Sequence, residues 1–414
     1  MKRILFILLL TIPLIGFGQG WEFYYGGNSV DKGHNIQKTT DGGYIVSGQF
    51  GGGPIYIIKI DLDGNVEWDN TYGIVGDYRS HVKETQDGGF IICSGMGSID
   101  LYKIDINGNQ LWSQNYTGNG GVSVYETLNG NYVVCGNGGG DICLIKTDNS
   151  GNQLWYQTYG GTGINNGFSF DNTSDGGYII TGESSINNGQ GKDVYLIKTD
   201  NSGNQQWSKK YGGSSHDVGY SVQQTTDGGY IICGETDSYG NGSYDVYLIK
   251  TDLNGDTLWT QTYGYSTNDR GFSVQQTTDG GYIICGETKT NQSGPTDVYL
   301  IKTDYYGSID WTKTYGGSQF DVGYSVQQTN DGGYIICGWS EINWSSGTGN
   351  PGDVYLIKTD GNGNITSTFN IPISSNKKLE TVIDILGRET KPQQNTQFIE
   401  IYDDGSTKKK IVIE

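Results

Sequence analysis

Short apolar, β-branched runs recur along this chain at a fixed interval, separated by clusters of Gly, Asp, Asn and Ser. The clearest copies read DGGYIICGET…DVYLIKTDxNGxxxW and repeat every 52 residues, anchored at Asp227, Asp279 and Asp331. Each copy predicts four strands; in the fifth they fall at 220–225, 229–235, 245–251 and 257–263. The third of these, Val246-Tyr247-Leu248-Ile249, is apolar throughout instead of alternating, which predicts a strand covered on both faces. Self-similarity at such a period means stacked modules that cannot bury their apolar faces alone. Four strands per unit, each sheet lying between copies of itself, predict an all-β propeller with four-stranded blades. No helix-length segment with a 3.6-residue period appears, which excludes an α-solenoid, and a right-handed β-helix would need shorter rungs.

The count is seven. The DGG[YF] turn begins at Asp41, Asp87, Asp175, Asp227, Asp279 and Asp331, and Asn129-Gly130-Asn131-Tyr132 is a weaker third copy. Seven tryptophans share one phase of the repeat: Trp21, Trp68, Trp112, Trp155, Trp207, Trp259 and Trp311. The seventh copy has no tryptophan strand after Asp360, whereas Trp21 to Tyr25 precedes the first inner strand and reproduces the Trp207 to Tyr211 spacing. A ring whose last blade takes its outer strand from the N-terminal end accounts for both and leaves no open edge.

Composition supports this. With 68 Gly and 31 Tyr against 6 Pro and 2 Met, the glycines sit at fixed offsets between strands, as turn chemistry requires. Residues 1–18 read as an export signal: Lys2 and Arg3, an apolar core, then Gly16-Phe17-Gly18 as a cleavage site. No other stretch is long and apolar enough to predict a membrane span in the mature chain. The net charge is −19, and loss of Lys2 and Arg3 makes it −21. That excess lies in the repeats and argues against nucleic acid or an anionic lipid surface as partner. Cys93, Cys135, Cys233, Cys285 and Cys337 share one repeat position, too far apart to bridge, and read as small buried thiols. Cys143 is the one thiol placed to approach another, Cys135.

Two resemblances follow. The turn Asp200-Asn-Ser-Gly203-Asn-Gln-Gln-Trp207 and its copies resemble the tryptophan-docking repeats of quinoprotein (PQQ-type) propellers, and also the Asp-box turns of sialidase-like and endoglucanase propellers. In those families such residues pin neighbouring blades together, which implies a docking role for the seven in-phase tryptophans. The ending, with Ile383-Asp384-Ile385-Leu386-Gly387-Arg388-Glu389 and the run from Ile401 to Glu414, looks like a type A C-terminal sorting domain of type IX secretion substrates. It implies passage across an outer membrane by the type IX machinery, then release or attachment at the cell surface. Three segments are therefore expected: an export signal at 1–18, the propeller at 19–365 and the sorting domain at 366–414.

Loops of constant length should share one face, and loops of varying length the other, where binding usually lives. The variable face is expected to hold Asp31, Asp77, Asp217, Asp269 and Asp321 in crossovers near the axis, and Glu183, Glu235 and Glu287 at the ends of second strands. It also carries Trp339 and Trp344, the only tryptophans out of phase. The aspartates read as Asx-type acceptors of nearby amides, with a carboxylate ring for Ca²⁺ as the alternative. DLDGN and DLNGD lack the rest of a twelve-residue calcium loop. Lys59, Lys103, Lys146, Lys198, Lys250, Lys302 and Lys358 read as structural ties to carboxylates. Trp339 and Trp344 suit stacking on a sugar or partner, or a loop packed on itself. His34, His81 and His216 lack metal-ligand spacing, and no GxSxG, HExxH or phosphate loop occurs. No motif calls for a cofactor. The expectation is an exported binding or scaffold module for a polysaccharide or cell-surface protein. The alternatives are a two-carboxylate glycoside hydrolase and, behind it, a quinoprotein-like redox enzyme.

Overall fold

The computed structural model describes residues 20–26, 29–73, 80–161, 163–185, 191–289, 294–341 and 352–365, together with the backbone of 379–384, 397–402 and 407–411. The chain divides into two units, Met1–Thr366 and Ser367–Glu414.

The first unit contains seven four-stranded antiparallel sheets. Six are built from consecutive strands running from the inner to the outer position; the fifth, for example, has Asp217–Gln224, Tyr230–Thr236, Asp245–Thr251 and Thr257–Tyr263. The seventh combines Asp321–Gln328, Tyr334–Ser340 and Asp353–Thr359 with Trp21–Tyr25. That N-terminal strand pairs antiparallel with the third strand, from Trp21↔Lys358 to Tyr25↔Val354. Third strands of the DVYLIKT type are buried along their length, as expected of a strand with a blade on either side. Each blade interface has its own apolar cluster. At the closing interface Ile335, Cys337, Val354 and Leu356 of the last blade meet Ile36, Tyr44, Val46 and Ile58 of the first.

One expectation needs correction. Asp217, Asp269 and Asp321 are not crossover residues but the first residues of inner strands, which begin three residues earlier than the pattern suggested. A bulge between Gly219 and Ser221, repeated in the neighbouring blades, interrupts the alternation and lets Asp217 resume pairing with Thr236. Asp31 lies just ahead of the inner strand Lys32–Lys38; Asp77 falls outside the described residues.

Neighbouring blades are tied at their outer edge by one recurring device. In every outer strand the in-phase tryptophan lies against a glycine in the third-to-fourth turn of the next blade: Trp68 on Gly108, Trp207 on Gly255, Trp311 on Gly363. The tyrosine four residues on donates its hydroxyl to that glycine's carbonyl. The seven bonds are Tyr25 to Gly64, Tyr72 to Gly108, Tyr116 to Gly151, Tyr159 to Gly203, Tyr211 to Gly255, Tyr263 to Gly307 and Tyr315 to Gly363, at 2.5–2.7 Å. Through Trp21 and Tyr25 the N-terminal strand docks the last blade onto the first, as every other outer strand docks its own blade onto the next. Gly255 has φ +79° and a Cβ there would lie 2.8 Å from the Trp207 ring, so both backbone and packing demand glycine.

The lysine ties lie at the turn face. Lys250, fully buried, bonds Asp227, which also accepts from the Thr225 hydroxyl and from Gly229 N–H. Lys59, Lys103, Lys198, Lys302 and Lys358 pair likewise with Asp41, Asp87, Asp175, Asp279 and Asp331. In the third blade Asn129 replaces the aspartate, and among the described residues Lys146 has no such ion pair. All six cysteines are buried free thiols.

The second unit is described as a three-stranded antiparallel sheet, Leu379–Asp384, Gln397–Tyr402 and Thr407–Ile411, in sequential order.

Candidate functional site

The inner strands surround a central channel whose wall is built in tiers, because the same positions of each inner strand face the axis. Nearest the variable-loop face is a collar of His34, Tyr324, Phe272, Tyr220 and Phe168, completed by Val122 and Ser80. Successive rings of the collar are 5.2–6.1 Å apart between centroids, three pairs tilted and His34–Tyr324 edge-on. Five adjacent blades thus present an arc of aromatic surface at the mouth.

The next tier holds Asn35, His81, Ser123, Ser169, Ser221, Ser273 and Ser325. Most of these accept a backbone N–H from the following blade: Ser221 from Val274 and Ser273 from Val326 at 3.2 Å, Ser325 from Ile36 and Asn35 Oδ1 from Val82 at 3.3 Å. His81 Nδ1 accepts from Val124 N–H, 3.4 Å. Burial, reinforced by the Lys83 charge, lowers the His81 pKa to about 3, so the ring is neutral with its proton on Nε2. A deeper tier is mostly glutamine. Gln223, Gln275 and Gln327 accept from Gln276, Gln328 and Lys38 N–H at 2.7, 2.6 and 2.9 Å. Lys83, Tyr125 and Asp171 replace glutamine in the second, third and fourth blades. Burial lowers the Lys83 pKa against the pull of Asp171, and burial raises the Asp171 pKa although it accepts Gln224 and Asn172 N–H.

Beside the collar, on the loop face, Arg270 joins two of the expected site residues. Its Nε lies 2.7 Å from Glu235 and its Nη1 lies 3.0 Å from Glu287, while Tyr220 donates to Glu235 and the guanidinium sits over the Tyr244 ring, 5.3 Å from its centroid. Burial raises the Glu235 pKa, opposed mainly by Arg270. Glu183 is held by Lys192 and Asn166, both at 2.7 Å. Trp339 stands at the Glu235 position of the last blade, against Gly352, with Lys32 of the first blade 5.7 Å from its ring centroid. Trp344 lies outside the described residues.

The buried aspartates are arranged differently. Asp217 accepts from the Thr236 hydroxyl, from Ser238 Oγ at 2.7 Å and from Gly213 N–H at 2.9 Å. Asp269 accepts from the Thr288 hydroxyl and Tyr265 N–H, and Asp321 from Gly317 N–H. Their oxygens brace the strand start and the preceding crossover, and none of the three lines the channel. The turn aspartates of the DxNGN motif are likewise committed locally: Asp200 Oδ1 accepts both Ser202 and Asn204 N–H at 2.8 Å. Among the described residues no group of three or more His, Cys, Asp or Glu side chains is placed to hold a metal ion. His34 and His81 line the channel; His216 does not.

Arg270 and the collar escaped the sequence reading. A signal for the collar exists, an aromatic residue before Ser in the fourth to seventh inner strands, but it coincides with the bulge that hides the strand start.

The chain matches the family described as "Outer membrane protein assembly factor BamB" over residues 19–261 and 95–319. A stretch of 171 residues is 29% identical to regulatory protein FlaEY of Caulobacter vibrioides, covering 36% of this chain and 18% of that protein. The chain thus spans less than a fifth of that relative's length. Among solved structures, U3-55K superposes with a TM-score of 0.55 at 9% identity, over 82% of this chain and 98% of that one. A protein of unknown function from Bacteroides caccae gives a TM-score of 0.42 at 15% identity, over 69% of this chain and 94% of that one. With family repeats matched across most of the seven blades, the chain belongs to the PQQ-type, BamB-like β-propellers, a scaffold or binding fold.

Proposed function

We propose that this protein is an exported, surface-acting binding propeller that takes up a glycan at the channel mouth on its variable-loop face. The observation that carries this reading is the aromatic collar of His34, Tyr324, Phe272, Tyr220 and Phe168, flanked by the Arg270, Glu235 and Glu287 set. Aromatic faces stack on the C–H surface of a sugar ring, and nearby charged groups hydrogen-bond its hydroxyls. Export rests on the reading of residues 1–18 as a signal and of 366–414 as a type IX sorting domain. The test is a glycan-array screen of the mature chain, followed by binding isotherms and a reducing-sugar assay on the hits. Saturable binding without release of reducing ends, weakened at least tenfold by Phe272→Ala at unchanged melting temperature, is the expected result. Release of reducing ends would replace this reading with a hydrolase, and no saturable ligand would remove it. For export, deletion of residues 366–414 should leave the protein inside the outer membrane.

A further inference from the structure

The channel below the collar has an unusual polarity. Inter-blade bonding uses its acceptors: Ser221, Ser273 and Ser325 Oγ, Asn35 Oδ1, His81 Nδ1, and the Oε1 atoms of Gln223, Gln275 and Gln327 each receive a backbone N–H of the following blade. What these groups have left is hydrogen. A serine hydroxyl that accepts an amide still has its O–H to give, an amide that uses its oxygen keeps its NH₂, and a neutral imidazole that accepts at Nδ1 carries N–H at Nε2. Among the described residues, Ser221, Ser273 and Ser325 O–H, Asn35 Nδ2, His81 Nε2, and Gln223 and Gln275 Nε2 make no bond to a protein acceptor. Gln327 gives one amide hydrogen to Gln37, 3.0 Å away, and keeps the other. Lys83 adds an ammonium to the glutamine tier; among the described residues its hydrogen-bond partner is Gln37 Oε1, 3.5 Å away, and it has three hydrogens to place. Within a strongly acidic protein, the axis is walled by donors.

We infer that the channel is a carboxylate-binding site. It receives the acid group of a sugar acid, such as a hexuronate, between the Ser/His tier and Lys83, while the collar stacks on the sugar ring. The sugar part of this inference rests on the glycan reading above; the carboxylate part does not. A carboxylate is acceptor-only and takes several donors at once, which the convergent O–H and N–H groups supply. Asp171 is the one carboxylate on the glutamine tier, and it is committed to Gln224 and Asn172 N–H. It offsets part of the Lys83 charge, so its removal should strengthen the site.

Titration calorimetry of the mature chain with glucuronate, glucose and acetate tests this. Glucuronate is expected to bind at least tenfold more tightly than glucose, with acetate competing. Lys83→Gln, which installs the side chain that Gln37, Gln223, Gln275 and Gln327 already provide at this position, should fold normally. It should cut glucuronate affinity at least tenfold while leaving glucose unchanged. Asp171→Asn should raise glucuronate affinity several-fold. Lys83-dependent binding of acetate without added affinity for glucuronate would support the carboxylate site and remove the glycan reading. Binding of glucose equal to glucuronate with no binding of acetate, or loss of affinity in Asp171→Asn, would overturn the inference.

Discussion

Single residues are placed here by two competing demands, burial and hydrogen bonding. An ammonium as buried as that of Lys250 is tolerated because Asp227 and the Thr251 carbonyl receive it, and because the aspartate is in turn fixed by Thr225 and Gly229. Removing the anion while leaving the cation should be costly: Asp227→Ala is expected to destabilise the protein by about 2–4 kcal/mol in denaturant melts. The same ties set the acid limb of stability. At Asp41 and Asp175 burial alone would raise the pKa, but the lysine, the threonine hydroxyl and a glycine amide outweigh it and hold both at about 2. A carboxylate depressed in the folded state contributes stability that is complete above the unfolded value of about 3.9 and is lost as pH falls through the folded value. The melting temperature should therefore be flat above about pH 5 and fall between about pH 4 and pH 2. A protein in which Lys59, Lys198 and Lys250 are methionines should show a shallower fall; an equal slope would show that the loss arises elsewhere.

At the scale of the element, the outer strand is the docking unit. Trp and Tyr four residues apart lie on one face of the strand and grip one turn of the next blade, ring on glycine and hydroxyl on carbonyl. Tyr263→Phe should cost about 1 kcal/mol, the net value of one hydrogen bond, with the Gly307 carbonyl left to find water. Gly255→Ala should cost more, about 2–3 kcal/mol, since it forces a side chain into a left-handed backbone and against Trp207. The third blade offers the opposite experiment: Asn129→Asp should give Lys146 the partner found in the other six blades and stabilise by a few tenths to about 1 kcal/mol. A loss of stability on that change would show that the weak turn is kept for another reason.

Over the whole molecule, what could be read from the chain was what repeats. Blade number, strand number and the shared seventh blade follow from the phase of the tryptophans and of the DGG turns, because each copy solves the same packing problem. The roles that depend on two blades at once were hidden. Ser221 is an unremarkable strand serine until Val274 of the next blade is seen to occupy its oxygen, and only then is its hydrogen seen to be left for the axis. Arg270 likewise gains meaning by reaching back to Glu235 of the preceding blade. Asp217 recurs at a fixed spacing, yet the bulge at Gly219–Ser221 conceals that it starts a strand and braces a crossover. Ring closure itself is a cooperative property: seven interfaces exist only if the N-terminal strand supplies the last docking pair, since an open ring exposes an edge and the apolar cluster formed by the first and last blades. The direct test is thermal unfolding of the mature chain against a form lacking Gly20 to Tyr25. A lowered and broadened transition in the shortened form is predicted, and an identical melt would contradict the closed ring.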